Sequence, residues 1–249
     1  MRYFIQFSYF GKAYHGWQNQ PNAITVQEVL EKALSTLLRE RIELVGAGRT
    51  DSGVHAKEMF AHFDVEENAN AEELLYRLNA FLPEDIAVQN IRKVSAEAHA
   101  RFDAVERTYE YWIVQEKNPF YSDFAHFVKL PLDVDAMNQS AKYLLDHKDF
   151  ECFSKSNTDV KTFLCDVKSA FWEIRSDKLV FTISADRFLR NMVRAVVGTL
   201  LDVGLGKMKP GEIKAILQSK DRGKAGVSVP AKGLYLTKVS YPKWIFDEQ

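Results

Sequence analysis

The sequence predicts an α+β fold. It comprises two ferredoxin-like halves of βαββαβ order, joined into one extended, mainly antiparallel sheet with helices on one face and a cleft on the other. Three observations predict it. Two-residue and 3.6-residue hydrophobic periods alternate along the chain in the order β-α-β-β-α-β, and that order runs twice. A chain of 249 residues, 46% of them hydrophobic, can bury one large core or two smaller ones. Charged residues make up 27%, and no apolar run approaches the length of a membrane span.

The elements follow in order. RYFIQFSYF alternates as a strand, and GKAYHGWQNQPNAI is a loop. TVQEVLEKALSTLLRE repeats its apolar residues at helical spacing, and Thr25 followed by Glu28 opens it as a capping box. IELVGA and KEMFAHFDV are strands; AEELLYRLNAFL is a helix stopped by Pro83; DIAVQNIRKV is a fourth strand. The second half begins near Ala104 with the long strand AVERTYEYWIVQ, then the helix LDVDAMNQSAKYLLDH. TFLCDVKSAFWEI and KLVFTISAD are strands joined through RSD. FLRNMVRAVVGTLLDVG is an apolar helix, PGEIKAILQS a shorter one, and GLYLTKVSYP the closing strand. The domains are therefore expected at 1–104 and 105–249.

The formal net charge is −1, but it is unevenly spread: residues 1–100 carry −4 and the rest +3. Within 207–232, Lys207, Lys209, Lys214, Lys220, Arg222, Lys224 and Lys232 face only Glu212 and Asp221. Such a segment is either a phosphate-attracting face or a solvated surface. The two cysteines, Cys152 and Cys165, form no CxxC and read as buried thiols of a reducing compartment. The N-terminal residues lack the basic, apolar and small-residue order of a signal peptide, so a cytoplasmic protein is expected.

Chemistry centres on GAGRTDSGVHA, residues 46–56. Glycines bracket Arg49 and Asp51, and glycine lets a loop fold tightly and present a side chain outward. A cation beside a carboxylate favours its charged form. The same string is also ordinary turn chemistry. A phosphate cradle of the GxGxxG type fits poorly, since Asp51 stands where glycine is needed and would repel phosphate. Arg187, Arg190 and Arg194 fall at helical spacing on one face of an otherwise apolar helix, which calls for an anion: a structural carboxylate, a phosphate, or Asp51. Arg107, Tyr109 and Tyr111 share one strand face, where aromatic and cationic groups either stack on bases or pack into a core. The six histidines make no metal-ligand spacing, so no metal is expected.

GRTDSGVHA, ARF followed by RTYEY, DFECFS, FLRNMVRAVVG and AKGLYL occur in this order. Together, from the SYFGKAYHGWQNQ loop to the last strand, they resemble the tRNA pseudouridine synthase A family. The family's form of the first motif has Ala after the Asp, where this chain has Ser52. The resemblance implies isomerisation of uridine to pseudouridine at positions 38–40 of the tRNA anticodon arm, without cofactor or metal, by a homodimer in which one tRNA touches both subunits. It implies Asp51 as the essential aspartate and Arg194 as the arginine paired with it. It also implies Tyr109 as the tyrosine that contacts the target base and Arg49 as an arginine that handles the flipped nucleotide.

Two other functions stay open on the residues alone. A non-catalytic RNA-binding module accounts for the aromatics and the basic segment, but not for an anion at a loop tip. A carboxylate-dependent nucleoside hydrolase needs a second carboxylate, for which Asp186 and Asp103 are the candidates.

Overall fold

The alternating RYFIQFSY segment forms β1 (Arg2–Tyr9), with Tyr3, Ile5, Phe7 and Tyr9 buried along one face, because successive strand side chains point to opposite sides. The computed structural model describes residues 1–155 and 160–246. They form two units: Met1–Glu106 together with the chain from Leu236 onward, and Arg107–Tyr235.

In the first unit, β1 leads to α1 (Val26–Leu38), where the Thr25 hydroxyl oxygen accepts the Glu28 backbone N–H at 3.3 Å. Val26, Leu30, Ala33 and Leu34 form its buried stripe. β2 is only Val45–Gly46, shorter than IELVGA implies. β3 (His55–Asp64) follows, then α2 (Ala71–Phe81), capped by Asn70, and β4 (Ile86–Val94). β1 pairs antiparallel with both β3 and β4, and β2 pairs antiparallel with β3. The order is β4-β1-β3-β2, so β1 and β2 run parallel with β3 between them.

On the second row of β1, Arg2, Gln6 and Ser8 are half-buried and only Phe4 is covered. Phe4 is buried and, with Phe60 of β3, lies against Tyr241 and Phe246 from the end of the chain, ring centroids 5.2 to 6.0 Å apart. Aromatic rings gain from such edge-on contacts as well as from area removed from water.

The second unit holds most of β5 (Glu106–Val114), which enters it at Arg107. A two-residue strand absent from the sequence reading, β6 (His126–Phe127), pairs parallel to it. α3 (Val134–Ala141) is capped by Asp133 and docks on β7 (Val167–Arg175) through Asn138, whose amide exchanges two hydrogen bonds with the Trp172 backbone. β7 and β8 (Lys178–Ala185) form a hairpin turning at Ser176, which has φ 55°. β8 also pairs antiparallel with β5. α4 (Met192–Gly204) is buried over nearly its whole length, and α5 (Glu212–Ser219) buries Ile213, Ile216 and Leu217. β9 (Leu234–Ser240) crosses back at Leu236 to the first unit. The expected halves, 1–104 and 105–249, differ from these units in where that last strand belongs.

The apolar helix is the main departure from the sequence reading. FLRN does not enter it: Asn191 is left-handed at φ 66°, and the helix begins at Met192. Arg187 and Arg190 therefore lie in the link after β8, and only Arg194 is helical. The expected three-arginine helix face does not exist.

Candidate active site

The loop between β2 and β3 is fixed by the segment that precedes α1. The buried Thr50 has its hydroxyl 2.7 Å from that of Tyr9, and its carbonyl accepts the Trp17 N–H at 3.2 Å. The Tyr14 carbonyl accepts the Gly53 N–H and the Ser52 hydroxyl, both at 3.3 Å. A tight turn closes behind the apex, where the Val54 N–H donates to the Asp51 carbonyl at 3.1 Å and Gly53 takes φ 76°. The close approach of the two segments depends on Gly16: it sits at φ 91°, and a Cβ there would lie 2.4 Å from the Thr50 carbonyl oxygen. Arg49 is exposed and Asp51 half-buried, on either side of the anchored Thr50. This is the geometry of a displayed, preorganised carboxylate, since the backbone under it is hydrogen-bonded before any substrate arrives.

His55, four residues beyond Asp51, is structural. It is buried, its Nδ1 accepts the Gly11 N–H at 2.9 Å, and its ring stacks on Phe10 at 4.3 Å. Tyr14 is likewise committed: its hydroxyl donates to Asp85 at 2.5 Å, and burial followed by that bond raises its pKa.

In the second unit, Tyr109 is half-buried on β5 opposite Ile183, edge-on to Phe188 at 5.1 Å. Tyr111, on the same strand face, is core: it is fully buried, its hydroxyl donates to the Pro230 carbonyl at 2.8 Å, and burial raises its pKa. Arg107 donates to the Asp186 carbonyl at 2.8 Å. Arg194 is half-buried on the first turns of α4, with Nε donating to the Val229 carbonyl at 2.7 Å. A stretch that carried no signal in the sequence, Ala225–Pro230, therefore supports the one helical arginine of FLRNMVRAVVG.

Both candidate second carboxylates are engaged by backbone N–H groups. Asp103 accepts the His99 N–H at 2.7 Å, and Asp186 accepts the N–H groups of Asp166 and Arg187 at 2.7 and 2.8 Å. Among the described residues no group of three or more His, Cys, Asp or Glu side chains is arranged to hold a metal ion, and no helix is long and apolar enough to cross a membrane. The basic segment is partly occupied within the unit. Lys207 pairs with Asp202, Lys220 with Asp149, Lys214 sits 4.3 Å from the Tyr143 ring centre, and Lys232 donates to the Ser122 carbonyl.

Compared with known proteins, residues 5–103 and 141–242 match the family model described as tRNA pseudouridine synthase. The chain belongs to the tRNA pseudouridine synthase family. Among its relatives, a protein of Bacteroides thetaiotaomicron named tRNA pseudouridine synthase A is 50% identical, covering 100% of this chain and 93% of its own. Its namesakes in Bacteroides fragilis and Parabacteroides distasonis are 50% and 51% identical over 98% or more of both chains. Membership of this family of pseudouridine synthases makes the chain an isomerase. Arg49, Asp51 and Arg194 fall inside the matched spans of the family model, whereas Tyr109 lies between them.

Proposed function

We propose that this chain converts uridine to pseudouridine at positions 38–40 in the anticodon arm of tRNA, with Asp51 as the essential carboxylate. The observation that carries the reading is that carboxylate, held on a loop braced from both sides in a chain of this family.

The reaction is redox-neutral. The C1′–N1 bond breaks, the uracil turns, a C1′–C5 bond forms, the C5 hydrogen leaves to solvent as a proton, and N1 gains one. Nothing in that balance calls for a cofactor. A base inside a stacked loop must first be everted, which costs a few kcal/mol. In this reading Arg49, exposed beside the apex, fills the vacated space, and Tyr109 offers its ring to the everted uracil. Arg194 supplies the cation that keeps the Asp51 carboxylate charged in the reacting complex. The enzyme works in the cytoplasm as a homodimer, with one tRNA reaching both subunits. The unpaired part of the 207–232 segment, Lys209 and Lys224 above all, faces the RNA backbone.

The strand order β4-β1-β3-β2 of the first unit supports a ferredoxin-like half, and β5-β8-β7 in the second supports three strands of another. The hydrolase alternative loses ground because Asp103 and Asp186 are already engaged by backbone N–H groups.

The test is a tRNA transcript carrying tritium at C5 of uridine. Pseudouridine formation releases tritium to water, and the isomer is mapped to positions 38–40. Release of free uracil would assign a hydrolase instead, and binding with neither product would assign an RNA-binding module.

A further inference from the structure

Arg194 does not stand on α4 alone. The segment Ala225–Pro230 runs beside the helix as a strap and bonds the arginine twice: the Val229 carbonyl accepts Nε–H at 2.7 Å, and the Val229 N–H donates to the Arg194 carbonyl at 3.2 Å. The strap is in turn seated closely on the helix through glycines. A Cβ at Gly198 would lie 1.8 Å from the Val227 carbonyl oxygen, and the Gly226 N–H donates to the Thr199 hydroxyl at 2.8 Å. Its outer side is gripped by Arg222, which donates to the Gly226 carbonyl at 3.1 Å and to the Ser228 hydroxyl at 2.9 Å. The same hydroxyl accepts the Asn191 amide at 2.6 Å, tying the strap to the left-handed residue that starts α4. At its far end, the Pro230 carbonyl accepts the Tyr111 hydroxyl of β5, two residues from Tyr109.

This is more hardware than a surface connection needs. Val227 at the middle of the strap is 86% exposed and adds nothing to its seating; the strap is held by the buried Val229, by polar bonds and by the glycine contacts. Arg222 spends its guanidinium on strap oxygens, although the basic segment around it suggests a phosphate contact. Nε is occupied by Val229, which fixes the plane of the Arg194 guanidinium and sets the direction of its two terminal nitrogens.

We propose that Arg222, through Ser228 and the strap, is a positioning residue for Arg194 in the isomerisation; this rests on the reading of Arg194 given above. Losing the grip lets the strap lift, frees Val229 from Arg194, and lets the guanidinium swing away from the position in which it serves the carboxylate. A misplacement of about 1 Å in a catalytic constellation costs on the order of a hundredfold in rate.

The test is single-turnover pseudouridine formation with enzyme in saturating excess over tRNA transcript. That rate constant does not depend on the fraction of active enzyme, so partial unfolding does not imitate the effect. Arg222→Gln, Arg222→Lys and Ser228→Ala are compared with wild type and with Arg194→Ala, and tRNA affinity is measured for each. We expect Arg222→Gln to lower the rate constant about ten- to a hundredfold with affinity within about threefold. Arg222→Lys should recover part of the loss, and Ser228→Ala should show a smaller loss of the same kind. An Arg222→Gln rate constant within threefold of wild type, beside an inactive Arg194→Ala, overturns the positioning assignment and leaves the reading of Arg194 intact. Weakened tRNA affinity at an unchanged saturated rate also overturns it, making Arg222 an RNA contact. Full activity in Arg194→Ala removes the reading itself, and the positioning assignment with it.

Discussion

A methyl group at position 16 would meet the Thr50 carbonyl oxygen at 2.4 Å in a backbone already at φ 91°. Gly16→Ala is therefore expected to cost about 1–3 kcal/mol of stability and to lower pseudouridine formation more than tRNA affinity, because the segment bracing Asp51 is displaced. Urea unfolding and single-turnover rates read the two effects. This residue also marks what the local sequence hides. The glycines around Arg49 and Asp51 raise the expectation of a special loop, and within 46–53 only Gly53 has a positive φ. The other requirement lies thirty-odd residues upstream, and it exists only because two distant segments touch. A second residue-scale prediction concerns His62. It is buried, its Nδ1 accepts the Ala100 N–H at 3.1 Å, and burial, with Arg2 and His99 nearby, lowers its pKa to about 4. Between its ordinary value of 6.5 and about 4 the unfolded chain takes a proton that the folded one refuses. Stability from this group is full above that window and falls as the pH drops through it. Thermal midpoints of wild type against His62→Gln should converge with falling pH, leaving the smaller contribution of His99.

At the scale of elements, the capping pattern Thr25-x-x-Glu28 was legible and sits where it should, with the Thr25 hydroxyl on the Glu28 N–H. Thr25→Ala should cost about 1 kcal/mol, measured as a shift in the urea midpoint at constant slope. The start of α4 was not legible. FLRNMVRAVVG has an unbroken apolar period, yet Asn191 takes a left-handed conformation that asparagine tolerates and most residues do not. The hydrogen bond its side-chain amide donates to the hydroxyl of Ser228, a residue far away in sequence, holds it there. Periodicity reports which side chains are apolar; it does not report a turn stabilised by a tertiary partner. For the same reason Tyr109 and Tyr111 look equivalent on the strand, while the structure commits one hydroxyl to Pro230 and leaves the other tyrosine half-exposed. The two-residue β6 is too short to give any alternation at all.

For the whole molecule, a net charge of −1 conceals a basic segment whose lysines are partly used in local pairs. If the unpaired lysines of this segment and Arg49 make the phosphate contacts, a log–log slope of tRNA affinity against salt of about −2 to −4 is expected. Filter binding across salt concentrations measures it, and a slope near −10 would assign the RNA contact to a far larger cationic face. The family was legible because its motifs are short and dense in chemistry, and the match spans residues 5–103 and 141–242. The most direct test of the central claim is pseudouridine formation by Asp51→Asn and Asp51→Ala on an anticodon stem-loop, with tRNA affinity measured on the same preparations. The account predicts that both variants bind with affinity within a few-fold of wild type and form no pseudouridine; isomerisation by Asp51→Ala at a rate near wild type would contradict it.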